Sequence, residues 1–236
     1  MLKQIGDRLW IVKQPQKYYG LEVGTRMSIV VLDNNDIALI SPVTLDPTTI
    51  DQINNLGKVK YLISPNLFHY LYLTACQKIY PEAITITPPG LLAKKPDIQS
   101  DLILIQDVIE FDQQLEYFLF SGFAVPLPTG VKELNEIVFF HPASKTLIIT
   151  DIAFYFDNSF PWLTQFIARI LGCYEKLRPS ILEKLVIQDK IAVKDSIERI
   201  LSWDFEQVVM AHGTIIKNEA KQQLKAGYEW FLGCQL

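Results

Sequence analysis

Histidine and cysteine are scarce in this sequence of 236 residues. The three histidines stand at positions 69, 141 and 212, so any metal site has few imidazole ligands to use. The three cysteines stand at positions 76, 173 and 234, and none belongs to a CxxC pair. This pattern indicates neither a disulfide framework nor a structural zinc site, and it fits a reducing compartment.

An excess of positive charge and long apolar runs are also missing. Lys and Arg total 22 against 26 Asp and Glu, and no five-residue basic block occurs. A nucleic-acid partner held by bulk charge is therefore not expected. The longest uncharged stretch, residues 117–131, is broken by two glycines and two prolines, and the N-terminus lacks the apolar core of a signal peptide. We expect a cytoplasmic protein with no transmembrane segment.

Strand and helix patterns alternate along the chain without a linker or a repeat, which predicts one domain over residues 1–236. Two hairpins are predicted, with turns at residues 33–36 and 142–145. A strand over residues 59–64 precedes a helix over residues 67–80, and the next strand is expected to lie parallel to the first. The other predicted elements are strands over 9–12, 27–32, 37–40, 83–87, 101–105, 116–120, 136–141, 146–151 and 207–211, helices over 47–57, 162–172, 192–203 and 218–232, and a Pro/Gly loop over 126–130.

Five short segments stand at or near the ends of predicted strands, at residues 41–43, 64–70, 128–131, 147–151 and 210–213. In order along the chain they resemble five motifs of the metallo-β-lactamase superfamily: Asp-Thr-Gly, HxHxDH, Pro-Gly-His-Thr, a strand that ends in Gly-Asp, and a strand that ends in Gly-His-Gly. The resemblance covers essentially the whole chain. It implies a four-layer αββα sandwich and an uncharacterised branch of the superfamily, a domain of unknown function.

The metal ligands of that family are mostly replaced. The resemblance implies a site in which two zinc or iron ions share an Asp and about five His and activate a water. Only Asp151 and His212 stand where family ligands stand, and His69 falls at the position of the Asp in HxHxDH. The remaining motif positions hold Pro65, Leu67, Tyr70 and Val131. We therefore predict that the dinuclear centre is lost.

A smaller site is predicted at the strand ends. Two imidazoles and a carboxylate form a recognised ligand set, so His69, Asp151 and His212 are predicted to bind one divalent ion, which would be zinc, manganese or iron. The alternative is structural: Asp151 caps the following turn, His212 hydrogen-bonds to backbone, and His69 begins a helix.

The predicted register of the second hairpin separates His141 from this site. His141 is expected beside Thr146, roughly 16 Å from Asp151, which is beyond ligand reach. The same register places Glu136 opposite Asp151, although a slip of one residue would remove it. Glu136 and Asn66 are predicted to bind a ligand beside the metal.

An aromatic segment follows Asp151 and, in the resembled fold, lies near the mouth of the site. It is a candidate wall for an apolar ligand, a partner contact, or core packing beneath a loop. Its members are Phe154, Tyr155, Phe156, Phe160, Trp162 and Phe166.

Two function classes remain at this stage. The missing ligands favour a non-catalytic derivative that binds a small molecule or a protein in the former active-site cleft. The alternative is a metal-dependent hydrolase-like enzyme with a mononuclear site. The enzyme hypothesis requires His69, Asp151 and His212 to converge beside a pocket. It is wrong if Leu67, Tyr70 and Phe154 fill the cleft.

Overall fold

The computed structural model of the protein describes residues 1–104, 111 and 114–236. The strands are β1 (Lys3–Gly6), β2 (Leu9–Gln14), β3 (Lys17–Tyr18), β4 (Leu21–Glu22), β5 (Thr25–Val31), β6 (Asp36–Ile40), β7 (Lys58–Ile63), β8 (Ile84–Thr87), β9 (Leu102–Ile103), β10 (Glu116–Phe120), β11 (Ala124–Leu127), β12 (Gly130–Glu133), β13 (Glu136–His141), β14 (Thr146–Ile149) and β15 (Gln207–Met210). The helices are α1 (Pro47–Asn54), α2 (Leu73–Ile79), α3 (Leu91–Lys94), α4 (Trp162–Leu171), α5 (Ile181–Val186), α6 (Lys190–Ser202) and α7 (Ala220–Leu232).

Two large sheets organise these strands. The first has seven strands in the order β1-β2-β5-β6-β7-β8-β9, and the second has four in the order β10-β13-β14-β15. The pairs β3–β4 and β11–β12 form separate hairpins. Among the described residues, no helix combines the length and the apolar character that crossing a membrane requires.

Apolar side chains pack between four layers of secondary structure. Strand β5 shows how the sequence achieves this, because side chains alternate between the two faces of a strand. Ile29 and Val31 face α1, α2 and α3, whereas Val30 faces the second sheet and joins the cluster that contains Phe139 and Ile148. Helices α6 and α7 cover the other face of the second sheet. The predicted αββα sandwich is confirmed.

The strand registers set the position of the candidate ligands. In the second sheet, β13 pairs with β14 antiparallel and places His141 opposite Thr146, as predicted. Strand β14 pairs with β15 parallel and places Ile149 opposite Met210. Each chain continues two residues beyond that pair, so Asp151 and His212 emerge side by side at the carboxyl edge of the sheet.

The predicted helix over residues 67–80 is wrong in its first half, because α2 begins at Leu73. The side-chain oxygen of Asn66 accepts hydrogen bonds from the backbone N–H groups of Phe68 at 2.8 Å and His69 at 2.9 Å. Such side-chain bonds compete with helical pairing, so the chain forms a loop here. His69 therefore lies in a loop that Asn66 organises, not in a helix.

Three other segments differ from the prediction. The Pro/Gly loop over 126–130 is part of the β11–β12 hairpin. Strand β9 is shorter than the predicted strand over 101–105, of which residue 105 lies outside the described residues. Helix α5 was not predicted, although Ser180 and Glu183 form a capping box at its start.

Candidate metal site

His69, Asp151 and His212 meet at the carboxyl ends of the two sheets. Nε2 of His69 lies 3.2 Å from Oδ2 of Asp151, and Nε2 of His212 lies 3.6 Å from Oδ1 of the same carboxylate. One potential ligand atom of each residue lies within 4.8 Å of the others. Within the part of the chain that the structure describes, no other group of three His, Cys, Asp or Glu side chains meets this spacing. The three predicted ligands converge, and their binding of a metal stays a prediction.

The two imidazoles are oriented by their second nitrogens. Nδ1 of His212 faces the carbonyl oxygen of Gly24, which accepts a hydrogen bond. The proton of a neutral His212 therefore lies on Nδ1, and the lone pair of Nε2 faces Asp151. Nδ1 of His69 forms a 2.7 Å hydrogen bond with the hydroxyl of Ser41. Such outer hydrogen bonds orient imidazoles that coordinate metals in proteins.

Asn66 joins three segments of the site. Its side-chain nitrogen donates to Oδ2 of Asp151 at 2.7 Å and lies 3.1 Å from Oε2 of Glu136. The same nitrogen lies 2.9 Å from the hydroxyl of Thr150. Because its oxygen also holds the backbone of His69, one amide side chain fixes the distance between His69 and Asp151.

Glu136 holds the backbone of Asp151 in place. Its carboxylate accepts hydrogen bonds from the backbone N–H groups of Thr150 and Asp151, each at 2.7 Å. Burial and the nearby Asp151 carboxylate raise the pKa of Glu136 to about 7. The predicted proximity of Glu136 to Asp151 is confirmed.

The charges in the cluster oppose the effect of burial. Burial acts to raise the pKa of Asp151, but His69 and His212 outweigh it, so this pKa lies well below its usual range. Burial acts to lower the pKa of His69, but the Asp151 carboxylate raises it above its ordinary value. Burial dominates at His212 and lowers its pKa. The Asp151 carboxylate therefore favours its charged form, while the pKa values of the two imidazoles shift in opposite directions.

Backbone contacts hold the loop that carries His212. The guanidinium of Arg26, which is buried, donates to the carbonyl oxygens of Met210 and Gly213. Gly213 has a φ of 96°, and a Cβ at this position would lie 2.3 Å from the carbonyl oxygen of Tyr155. Only glycine fits this close approach.

A cavity of about 410 Å³ opens beside the three side chains, and its walls include His69, Asp151 and His212. Two members of the predicted aromatic segment, Phe154 and Phe156, line it. Trp162 and Phe166 of the same segment are exposed. Tyr70 and Phe154 lie in the wall without closing the cavity, so the cleft that the enzyme hypothesis requires is open.

The other residues singled out from the sequence lie away from the cavity. Asn66 and Glu136 are both 0% exposed and support Asp151 from behind; a direct contact of either with a ligand stays a prediction. His141 lies beside the turn between β13 and β14, where its Nδ1 forms a 2.7 Å hydrogen bond with the hydroxyl of Ser144. The exclusion of His141 from the site by register is consistent with this position.

Sequence reasoning missed the role of Ser41. This buried residue directly follows β6 and has a φ of 58°, which is uncommon for a residue with a side chain. The conformation places its hydroxyl against His69. A polar residue immediately after an apolar strand was the available signal. Strained residues of this kind concentrate at functional sites.

Comparison with protein families identifies one match. A family model described as a domain of unknown function, DUF4336, matches residues 6–176. The comparison with curated proteins found no match.

Solved structures share the fold at low sequence identity. A metallo-β-lactamase from Pontibacter korlensis is 15% identical with a TM-score of 0.64, over 100% of this chain and 99% of that one. A metallo-β-lactamase from Hirschia baltica is 12% identical with a TM-score of 0.63, over 98% and 97%. A metal-soaked Flv1 flavodiiron core from Synechocystis is 13% identical with a TM-score of 0.63, over 99% and 60%. The chain therefore has the metallo-β-lactamase fold.

Proposed function

This chain belongs to the family defined by the domain of unknown function DUF4336, and from that membership and its metallo-β-lactamase fold we propose that it is a mononuclear metal-dependent hydrolase-like protein. His69, Asp151 and His212 would hold one zinc, manganese or iron ion. The observation that carries the proposal is the convergence of these three side chains beside an open cavity.

The distances between the donor atoms fit a single ion. Ligands about 2.1 Å from a tetrahedral zinc lie about 3.4 Å from one another. Nε2 of His69 lies 3.2 Å from Oδ2 of Asp151 and Nε2 of His212 lies 3.6 Å from Oδ1, so both carboxylate oxygens would face the ion. The hydrogen bond from His212 to Gly24 leaves the inward nitrogen free to coordinate. The donor set therefore suits a small divalent cation.

The remaining residues act as positioning groups in this proposal. Ser41 and Gly24 orient the two imidazoles, and Asn66 and Glu136 hold the Asp151 carboxylate. Removal of a group that hydrogen-bonds to a metal ligand lowers the affinity for the metal. A bound divalent ion would supply Lewis acidity and lower the pKa of a coordinated water, to about 7 in the case of zinc.

A metal-binding titration tests this proposal. The protein is stripped with a chelator and titrated with zinc, manganese or iron(II) in a calorimeter. We expect one ion per chain in the wild type and loss of binding in His69→Gln and His212→Gln. His141→Gln is the matched control and keeps the wild-type stoichiometry. Absence of binding above background, or equal binding by all variants, contradicts the proposal.

A second candidate is a non-catalytic derivative that binds a small molecule or a protein in the cleft. It is favoured by Leu67, Tyr70 and Val131 at motif positions where relatives in the superfamily are expected to carry ligands. The two candidates differ in turnover. Metal-dependent hydrolysis of a panel of 4-nitrophenyl esters, lost in Asp151→Asn, favours the enzyme; binding without turnover favours the derivative.

Two general properties accompany these candidates. We propose one domain over residues 1–236, because the cluster that contains Val30 and Phe139 is shared by both sheets.

We also propose a reducing location such as the cytoplasm, which the free thiols of Cys76, Cys173 and Cys234 support.

A further inference from the structure

The cavity beside the candidate metal site has apolar walls. Helix α4 contributes one face with Ile167, Ala168 and Leu171, while Leu127 comes from β11 and Phe154 from the aromatic segment. The volume of about 410 Å³ lies in the range of small-molecule sites. An extended apolar group would lose its contact with water along most of its length in such a space.

Several polar side chains in these walls already have partners in the protein. The hydroxyl of Thr164 donates to the carbonyl oxygen of Glu22 at 3.1 Å. The hydroxyl and the backbone N–H of Ser180 both donate to the carboxylate of Glu183. These groups satisfy one another and offer little to a ligand. Three polar side chains of the wall are thus committed to the protein, whereas His69, Asp151 and His212 form a cluster that could hold an ion.

The hydroxyl of Tyr72, which also lies in the cavity wall, has hydrogen-bond partners in the protein as well. It accepts a hydrogen bond from the side chain of Gln14 at 2.7 Å and donates to that of Gln16 at 3.3 Å. A ligand that matches this cavity has one polar end and one apolar body. A divalent ion held with the single carboxylate of Asp151 leaves a net positive charge, which favours a carboxylate or an ester carbonyl as the polar end.

We infer that the ligand is a single-chain acyl compound, with its carboxylate or ester carbonyl at His69, Asp151 and His212 and its hydrocarbon chain along α4. This inference rests on the proposed metal site for the polar end. The apolar walls support the chain independently of the metal.

A chain-length series tests the inference. Zinc-loaded full-length protein is titrated with butanoate, hexanoate, octanoate and decanoate below their micelle concentrations. Each added methylene that enters the cavity is expected to tighten binding about two- to fourfold until the cavity is full. Equal affinity for all four acids overturns the inference. The corresponding methyl esters form a second arm: tighter binding of the acid identifies a free fatty acid, and tighter binding of the ester identifies an acyl ester.

Cavity-filling variants locate the hydrocarbon chain. Ala168→Leu adds volume to the wall, and we expect at least a tenfold loss of decanoate affinity with little change for butanoate. Ile167→Trp, at a less buried position of the same wall, serves if Ala168→Leu fails to fold. Ala226→Leu, on the exposed face of α7, is the matched control and binds decanoate as the wild type does. Unchanged decanoate binding by the folded filling variants overturns the inference.

The same titrations separate this inference from the proposed metal site. If only the metal site fails, metal-free protein still binds longer acids more tightly, and added zinc has no effect. If only the inference fails, zinc binds in a His69-dependent manner, and chain length has no effect. Zinc affinity itself should be the same in Ala168→Leu and Ala226→Leu.

Discussion

Hairpin β13–β14 buries one titratable side chain at each end, Glu136 at the open end and His141 beside the turn, at 0% and 2% exposure. Burial and the Asp151 charge raise the pKa of Glu136 to about 7, whereas burial lowers the pKa of His141 to about 4. Each change favours the neutral form, as expected for a group removed from water. The two side chains are therefore alike in burial, and at each of them the pKa shift favours the neutral form.

The two ends differ in what their hydrogen-bond networks join. His141 bonds to Ser144, and Ser144 bonds to Thr146. The Thr146 hydroxyl also accepts from the side chain of Gln207 in β15, so this network links the turn to one neighbouring strand. Glu136 bonds to the backbone of Asp151 and to Asn66, which lies 70 residues away in the sequence. Burial of polar groups alone thus does not identify a site. Convergence of distant segments beside a cavity distinguishes the open end.

The largest loss of zinc affinity is expected at the open end of hairpin β13–β14, where Asp151 lies. Asp151→Asn removes the carboxylate of the proposed ligand set and leaves an uncharged amide beside two imidazoles. We expect zinc affinity to fall about 1,000-fold, which corresponds to about 4 kcal/mol. Calorimetric titration measures this loss, with His141→Gln as the control from the other end of the hairpin. A loss of similar size in His141→Gln would remove the distinction between the two ends.

The next effect is a pH dependence of stability at the turn end. His141 takes up a proton near pH 6.5 when unfolded and near pH 4 when folded, so the unfolded state binds more protons between these values. Its contribution to the free energy of unfolding is complete above about pH 6.5 and falls by about 2–3 kcal/mol as the pH drops to about 4.

Urea unfolding of wild type and His141→Gln at a series of pH values measures this contribution. The other titratable groups act equally in both proteins, so the difference between the two curves isolates His141. We expect the wild type to lose more stability on acidification. Parallel curves would show that the turn does not hold a neutral imidazole.

A smaller effect is expected from Glu136→Gln. The amide nitrogen of the new side chain would face a backbone N–H group of Thr150 or Asp151, which shifts the proposed Asp151 ligand. We expect zinc affinity to fall about tenfold, or about 1.4 kcal/mol. A ligand role for Glu136, as the sequence predicts, would instead reduce decanoate binding while zinc affinity stays unchanged.

The smallest effect is expected from Ser144→Ala. This change removes the hydroxyl that links His141 and Thr146 and should lower the free energy of unfolding by about 1 kcal/mol. Zinc affinity should not change, because the network reaches Gln207 at the start of β15 and none of the proposed ligands. Altered zinc binding in this variant would connect the two ends of the hairpin.

Much of the fold and the proximity of the candidate ligands could be predicted from sequence. Turn residues fixed the hairpin register, and the period of two in strands then placed Glu136 beside Asp151 and kept His141 away. The placement of His69 and His212 depended on the resemblance at strand ends. The period of apolar residues predicts secondary structure reliably where the packing of a sheet determines the conformation.

The loop from Asn66 to Tyr72 could not be predicted in the same way. Its conformation depends on side-chain bonds to backbone and on Asp151, which is distant in sequence. Ser41 posed the same difficulty, since its role follows from a positive φ and from a contact with His69. Helix α5 did carry a local signal, the Ser180 and Glu183 capping box, which could have been recognised.

The parallel pairing of β14 with β15 makes the site depend on two matched spacings. Asp151 and His212 each lie two residues past the paired Ile149 and Met210, in the bends that follow the two strands. Insertion of one residue after either strand would lengthen that segment by about 3.3 Å and separate the two side chains. Homologues that keep the site should therefore keep both spacings, however much their loops vary in length.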